Sequence, residues 1–190
     1  MLKKILLSFA LFSLSLTTFA SDTPQVRIVT NKGNIEIELN QAKAPESVKN
    51  FLQYAKSDYY NNTVFHRIIK NFMIQGGGFD KDLQRKQVKP PIPNEAFNGL
   101  KNDRGTIAMA RTNMPHSATA QFFINTVNND FLNHTSKSSR GWGYAVFGKV
   151  TRGMEVVDSI ENTKTGPRGM FPSDVPLTDI IIQKVEIIKE

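Results

Sequence analysis

The chain has 190 residues, with 24 Lys+Arg against 17 Asp+Glu, a net charge of +7, 39% hydrophobic residues and no cysteine. That length supports one domain with a sizeable core rather than two, and the lack of thiols excludes disulfides and lipid attachment at a cysteine, so stability must come from packing. The lysines are scattered rather than blocked, which favours a solvated surface over a dedicated anionic partner.

At the N-terminus, Lys3 and Lys4 precede an uncharged run from Ile5 to Ala20 that closes on Thr18-Phe19-Ala20 before Ser21-Asp22. These are the parts of a secretory signal peptide cleaved after Ala20. The run falls short of the ~20 residues that cross a bilayer comfortably, so a retained anchor is the weaker alternative. Residues 1–20 are therefore expected to be removed, leaving residues 21–190 as a single domain with no membrane attachment.

Gln25 to Thr30 alternates, Asn31-Lys32-Gly33-Asn34 supplies turn chemistry and Ile35 to Leu39 alternates again, which predicts an opening β-hairpin. Pro45 and Glu46 in a first turn, followed by Val48, Phe51, Leu52 and Ala55 at helical spacing, predict a helix from about Pro45 to Lys56. Tyr59 to Thr63 turns the chain into a strand around Arg67. The polar segment from Asp80 to Asn94 holds Pro90, Pro91 and Pro93 and is expected to wrap the surface without regular structure. Short strands follow at Gly105–Arg111 and Gln121–Thr126, and Ala108 and Ala110 leave room for another chain to approach. After Phe131-Leu132 comes a flexible loop, Asn133 to Gly143, and then a strand from Tyr144 to Val150. Met154, Val157 and Ile160 space a second short helix, Gly166 to Pro176 reads as a Gly- and Pro-containing connection, and Ile180 to Ile188 closes the chain as a strand. Many short strands with only two helices imply an antiparallel barrel or a sandwich.

One stretch stands apart: Phe65-His66-Arg67-Ile68-Ile69-Lys70-Asn71-Phe72-Met73-Ile74-Gln75-Gly76-Gly77-Gly78. Strand alternation puts Phe65, Arg67 and Ile69 on one face and His66 and Ile68 on the other. Arg67 is then either a guanidinium fixed at the edge of an apolar cleft or an arginine snorkelling off a strand end.

Taken in order, Phe65-His66-Arg67-Ile68-Ile69, Phe72-Met73-Ile74-Gln75-Gly76-Gly77, Gly105-Thr106-Ile107-Ala108-Met109-Ala110, Gln121-Phe122-Phe123-Ile124 and Val146-Phe147-Gly148-Lys149-Val150 resemble the signature blocks of the cyclophilins. With the leader, the resemblance is to the periplasmic members of Gram-negative bacteria. It implies a mainly β fold, a closed eight-stranded antiparallel β-barrel capped by two α-helices, and peptidyl-prolyl cis-trans isomerase (rotamase) activity in folding exported proteins. It also implies roles. Arg67 matches the catalytic arginine; Phe72, Met73, Phe123 and Leu132 match the proline pocket; Gln75 and Gln121 lie beside the bound peptide; Ala110 and Arg111 match the segment over which its backbone passes. Phe131 and Tyr144 stand where the best-known eukaryotic members have tryptophan and histidine. The missing indole N–H implies weak cyclosporin binding at most. The implied partners are proline-containing polypeptides bound by a monomer, with neither cofactor nor metal.

The residues suit that reaction. The prolyl amide rotates over a barrier of ~18–20 kcal/mol, and no bond is made or broken, so catalysis needs only to favour the twisted amide. There the prolyl nitrogen recovers a lone pair that a guanidinium can meet.

Competing constellations are poorer. His66, His116 and His134 lack ligand spacing for a metal. Gly76-Gly77-Gly78 is followed by no Lys-Ser/Thr as a phosphate loop would be, and no G-x-S-x-G elbow supports a hydrolase. Phe122-Phe123 near Arg111 could stack nucleic-acid bases, but packing and peptide contact account for the pair better. A non-catalytic holdase using the same groove for proline-containing segments is the remaining alternative, though binding alone does not call for the arginine.

Overall fold

The computed structural model describes residues 23–190, so the expected leader at 1–20 lies outside the described residues. In chain order the elements are β1 (Gln25–Thr30), β2 (Gly33–Leu39), α1 (Pro45–Lys56), β3 (Thr63–Ile69), β4 (Met73–Asp80), β5 (Thr106–Met109), β6 (Phe122–Asn125), β7 (Val146–Arg152), α2 (Met154–Glu161), β8 (Thr165–Arg168), β9 (Phe171–Pro176) and β10 (Ile181–Lys189). All pairings are antiparallel. Eight strands close a barrel in the order β1-β10-β3-β4-β6-β5-β7-β2, while β8 and β9 form a separate two-stranded sheet. Of the two β architectures open to the sequence, the barrel is the one built.

The opening hairpin forms with the expected alternation. Val26, Ile28, Ile35, Ile37 and Leu39 are fully buried, and the intervening Arg27 bridges Glu36 at 2.8 Å and Glu186 at 3.2 Å on the outer face. Helix α1 inserts Val48, Phe51, Tyr54 and Ala55 into the barrel core, and α2 adds Val157 and Ile160. Phe51 lies at its aromatic centre, 5.0 Å from Tyr60, 5.5 Å from Phe122 and 5.4 Å from Phe147 between ring centroids.

The residue preceding α1, Ala44, has no capping side chain. Glu95 supplies the cap from the far end of the proline-containing loop, accepting from the Ser47 amide at 2.8 Å, the Ser47 hydroxyl at 2.7 Å and the Glu46 amide at 3.1 Å. A carboxylate there satisfies otherwise orphaned N–H groups and meets the positive end of the helix dipole. The loop itself has only isolated bridges, Phe79 with Arg85 and Ile92 with Ala118.

Two expectations are corrected. Phe65, Arg67 and Ile69 do not share a face. Pairing runs from Phe65↔Gly76 to Arg67↔Gln75, which places an extra residue on β3 at a bulge. Phe65 and Ile68 consequently both enter the barrel core, whereas Ile69 packs against the separate cluster of Met73 and Phe123. His66 parts from Ile68 as well and packs against Phe79 at 4.6 Å and Phe171 at 5.8 Å. The second correction concerns Gly166 to Pro176, which contains β8 and β9 rather than a plain connection. Val175 buries itself with Val64, Phe79 and Leu83, and Phe171 packs on the same cluster, so this hairpin covers the outside of β3.

The three glycines lie within β4. Gly77 has φ +80°, and a side chain at Gly78 would come within 2.4 Å of Gln121. Only glycine lets Gln121 lie this close to β4.

Candidate active site

The bulge that corrects the face of Arg67 also builds the site. Arg67 leaves the barrel interior for the outer surface, opposite Gln75 on β4. It lines a pocket of about 100 Å³ together with Phe72, Met73, Gln75, Ala110, Arg111, Phe123, Leu132 and Tyr144. Ligands of drug size occupy ~300–1,000 Å³, so the hollow suits one compact side chain. Its floor is a small apolar cluster of its own, in which Met73, Ala108, Phe123, Leu132 and Val146 are buried.

A chain of polar contacts orients the cation. Gln121 Oε1 accepts from Gln75 Nε2 at 2.9 Å, and Gln75 Oε1 in turn faces Arg67 Nη1 at 3.5 Å. On its other edge, Nε lies 3.9 Å from Asp174 Oδ2 on β9. Among the described residues no protein acceptor is bonded to Nη2. The opposite wall is also tied down: Arg111 Nε donates to Gly143 O at 2.9 Å, its guanidinium lies 4.5 Å over the Tyr144 ring, and Tyr144 meets Phe123 edge-on at 5.7 Å. The 133–143 loop is therefore anchored where it reaches the pocket, and the Ala110 amide, bonded to Gln121 O at 3.0 Å, joins the two walls.

The structure brings together most of the residues expected from the sequence. Gln121 lies in the adjoining hollow of about 150 Å³, which also contacts Gln75, Arg85, Ala110, Arg111 and Thr119. Phe131 does not line the pocket; it is 74% exposed and stacks on Phe72 at 5.6 Å, extending the apolar rim. Larger hollows of about 260 and 330 Å³ occur elsewhere; both carry lysines, but neither is lined by an arginine or an aromatic ring.

Sequence reasoning missed the residues that support this site from behind. Asn102 Nδ2 bonds Leu132 O and Tyr144 O, both at 3.3 Å. Asn125 Nδ2 reaches Asn102 Oδ1 at 3.2 Å, and Asn129 Nδ2 reaches Asn125 Oδ1 at 2.8 Å and Phe72 O at 2.9 Å. All three asparagines are buried. The one available signal was an amide side chain, Asn125, directly after the apolar run Phe122-Phe123-Ile124, since buried polar groups need partners. Asp174 had no signal at all, because nothing local links it to Arg67.

The family model described as "Cyclophilin type peptidyl-prolyl cis-trans isomerase/CLD" matches residues 25–187. Peptidyl-prolyl cis-trans isomerase B of Escherichia coli (strain K12) is 59% identical over 158 residues, covering 83% of this chain and 96% of its own. Peptidyl-prolyl cis-trans isomerase A of Dickeya dadantii is 49% identical over 194 residues, with both chains fully covered. A solved structure of a cyclophilin-type peptidyl-prolyl cis-trans isomerase from Cryptosporidium parvum, in the presence of the dipeptide Ala-Pro, superposes with a TM-score of 0.69 at 33% identity, covering 87% of this chain and 99% of that one.

Proposed function

The chain belongs to the cyclophilin-type peptidyl-prolyl cis-trans isomerases, and on that premise we propose that Arg67 carries the reaction and that the clients are exported proteins folding in the periplasm. The observation that carries this reading is a guanidinium held by Gln75 at the wall of an apolar pocket sized for one side chain.

The prolyl ring enters among Phe72, Met73, Phe123 and Leu132, and the amide rotates at the pocket mouth. As it twists, the nitrogen loses resonance and becomes pyramidal, and Arg67 donates to its new lone pair. This contact exists only in the twisted state, so it lowers the barrier instead of deepening the ground state. Displacing water from the pocket strengthens it. An acceleration of ~10⁶ corresponds to roughly 8 kcal/mol, within reach of oriented binding plus one charged donor. Gln75, Gln121, Ala110 and Arg111 hold the extended peptide on either side of the ring, and Tyr144 keeps Arg111 flat against the wall. Phe131 offers an apolar rim without an indole N–H, which supports weak cyclosporin binding at most.

The periplasmic address rests on the basic, apolar and small-residue segments of residues 1–20. N-terminal sequencing of the exported protein tests it, with Ser21 expected first. Arg67 is tested by cis-to-trans conversion of an X-Pro peptide with residues 21–190 and with Arg67→Ala, matched for folding by circular dichroism. We expect a large loss in the variant. If neither protein accelerates conversion while both bind the peptide, the groove acts as a holdase.

A further inference from the structure

We infer that Asp174 is a positioning residue for Arg67, an inference that rests on the assignment of Arg67 given above. Asp174 comes from the β8–β9 hairpin, which is outside the barrel. Its carboxylate lies 3.9 Å from Arg67 Nε, while Gln75 Oε1 faces Nη1 from the strand on the other side. The planar guanidinium is thus bracketed on two edges. Neither contact involves Nη2, which has no bonded protein acceptor among the described residues and can donate to a ligand.

Local backbone geometry points the same way. Asp174 sits inside β9 at φ +66°, the left-handed region that costs any side chain except glycine and is tolerated best by Asn and Asp. Such conformations persist where surrounding structure imposes them, and they concentrate at functional sites. Here the imposing structure is visible: Val175, the next residue, is 1% exposed in the cluster with Val64, Phe79 and Leu83, and Phe171 packs there too. The base of the hairpin is closed by an Arg168–Asp179 ion pair and by the Leu177 amide bonded to Lys164 O at 2.9 Å. The backbone that carries the carboxylate is thus fixed independently of substrate.

At 3.9 Å the contact is coulombic rather than a hydrogen bond. Both side chains are partly solvated, at 41% and 34% exposure, so the effect is moderate. What the charge supplies is orientation: an arginine side chain has many rotamers, and restricting them in advance removes an entropic cost from the transition state.

Asp174→Asn is the discriminating variant, because asparagine keeps the left-handed backbone and the shape while losing the charge. With an X-Pro peptide we expect kcat to fall two- to fivefold, KM to stay within twofold and the melting temperature to be unchanged. The Arg67 Nε–H resonance should shift. In an Arg67→Ala background, assayed at raised enzyme concentration, Asp174→Asn should cause no further loss. Native kcat in Asp174→Asn overturns the proposal while leaving Arg67 as the donor, and so does the same fold loss persisting without Arg67. If Arg67→Ala itself turns over normally, both assignments fall.

Discussion

On β4 and β6, Ile74, Phe122 and Ile124 are fully buried in the barrel, while the residues between and beside them, Met73, Gln75 and Phe123, form the wall of the pocket. One backbone thus builds two regions of opposite character, because successive side chains leave a strand on opposite faces. The inner face is closed by aromatic and β-branched volume, within which Tyr60 Oη donates to Ala120 O at 2.9 Å. The outer face is shallower and half-solvated, and there a cation and two glutamines are held by one another. The core sets where the strands lie, and the polar chain on their backs sets where the guanidinium lies.

If that division holds, the two faces should fail differently. The largest effect belongs to the interior: Phe122→Ala should destabilise the fold by about 3–5 kcal/mol, as truncation of a buried aromatic leaves both lost transfer energy and a cavity. Chemical denaturation measures it, and any fraction that stays folded should isomerise prolyl bonds at the native rate. Next comes Arg67→Lys on the outer face. The charge remains but the planar fork is lost, and kcat/KM should fall about 10²–10³-fold, the scale for removal of one transition-state donor, with the denaturation midpoint unmoved. Near-normal turnover in the lysine variant would mean that charge alone suffices.

The smallest effect concerns a residue that fits neither region. His66 is on the outer side of β3 yet 3% exposed beneath the β8–β9 hairpin, and its Nδ1 has no partner. Burial, with the neighbouring Arg67 cation adding to it, lowers its pKa to about 4. The unfolded chain takes up this proton near pH 6.5 and the folded one only near 4. The stabilisation is therefore complete above pH 6.5 and lost as pH falls to 4, by about 3 kcal/mol. Subtracting the pH–stability curve of His66→Leu from that of the native protein cancels the carboxylates and should leave this slope. A flat difference would show the hairpin opening to admit water.

Much of this molecule is legible residue by residue. Alternation in Gln25–Thr30 and Ile35–Leu39 and helical spacing from Val48 to Ala55 were enough to indicate a β fold and its helices, since periodicity reports which side of an element is buried, while most of the pocket was implied by the resemblance of five ordered blocks to the cyclophilins. What lay beyond reach was decided by contacts between distant parts of the chain. The bulge that turns Arg67 outward depends on how β3 registers with β4. The cap of α1 comes from Glu95, and the second edge of the guanidinium from Asp174, in a hairpin whose Gly- and Pro-containing sequence looks like a loop. Local pattern encodes burial; register and long-range pairing require the closed barrel, because only there do residues such as Arg67 and Asp174 become neighbours.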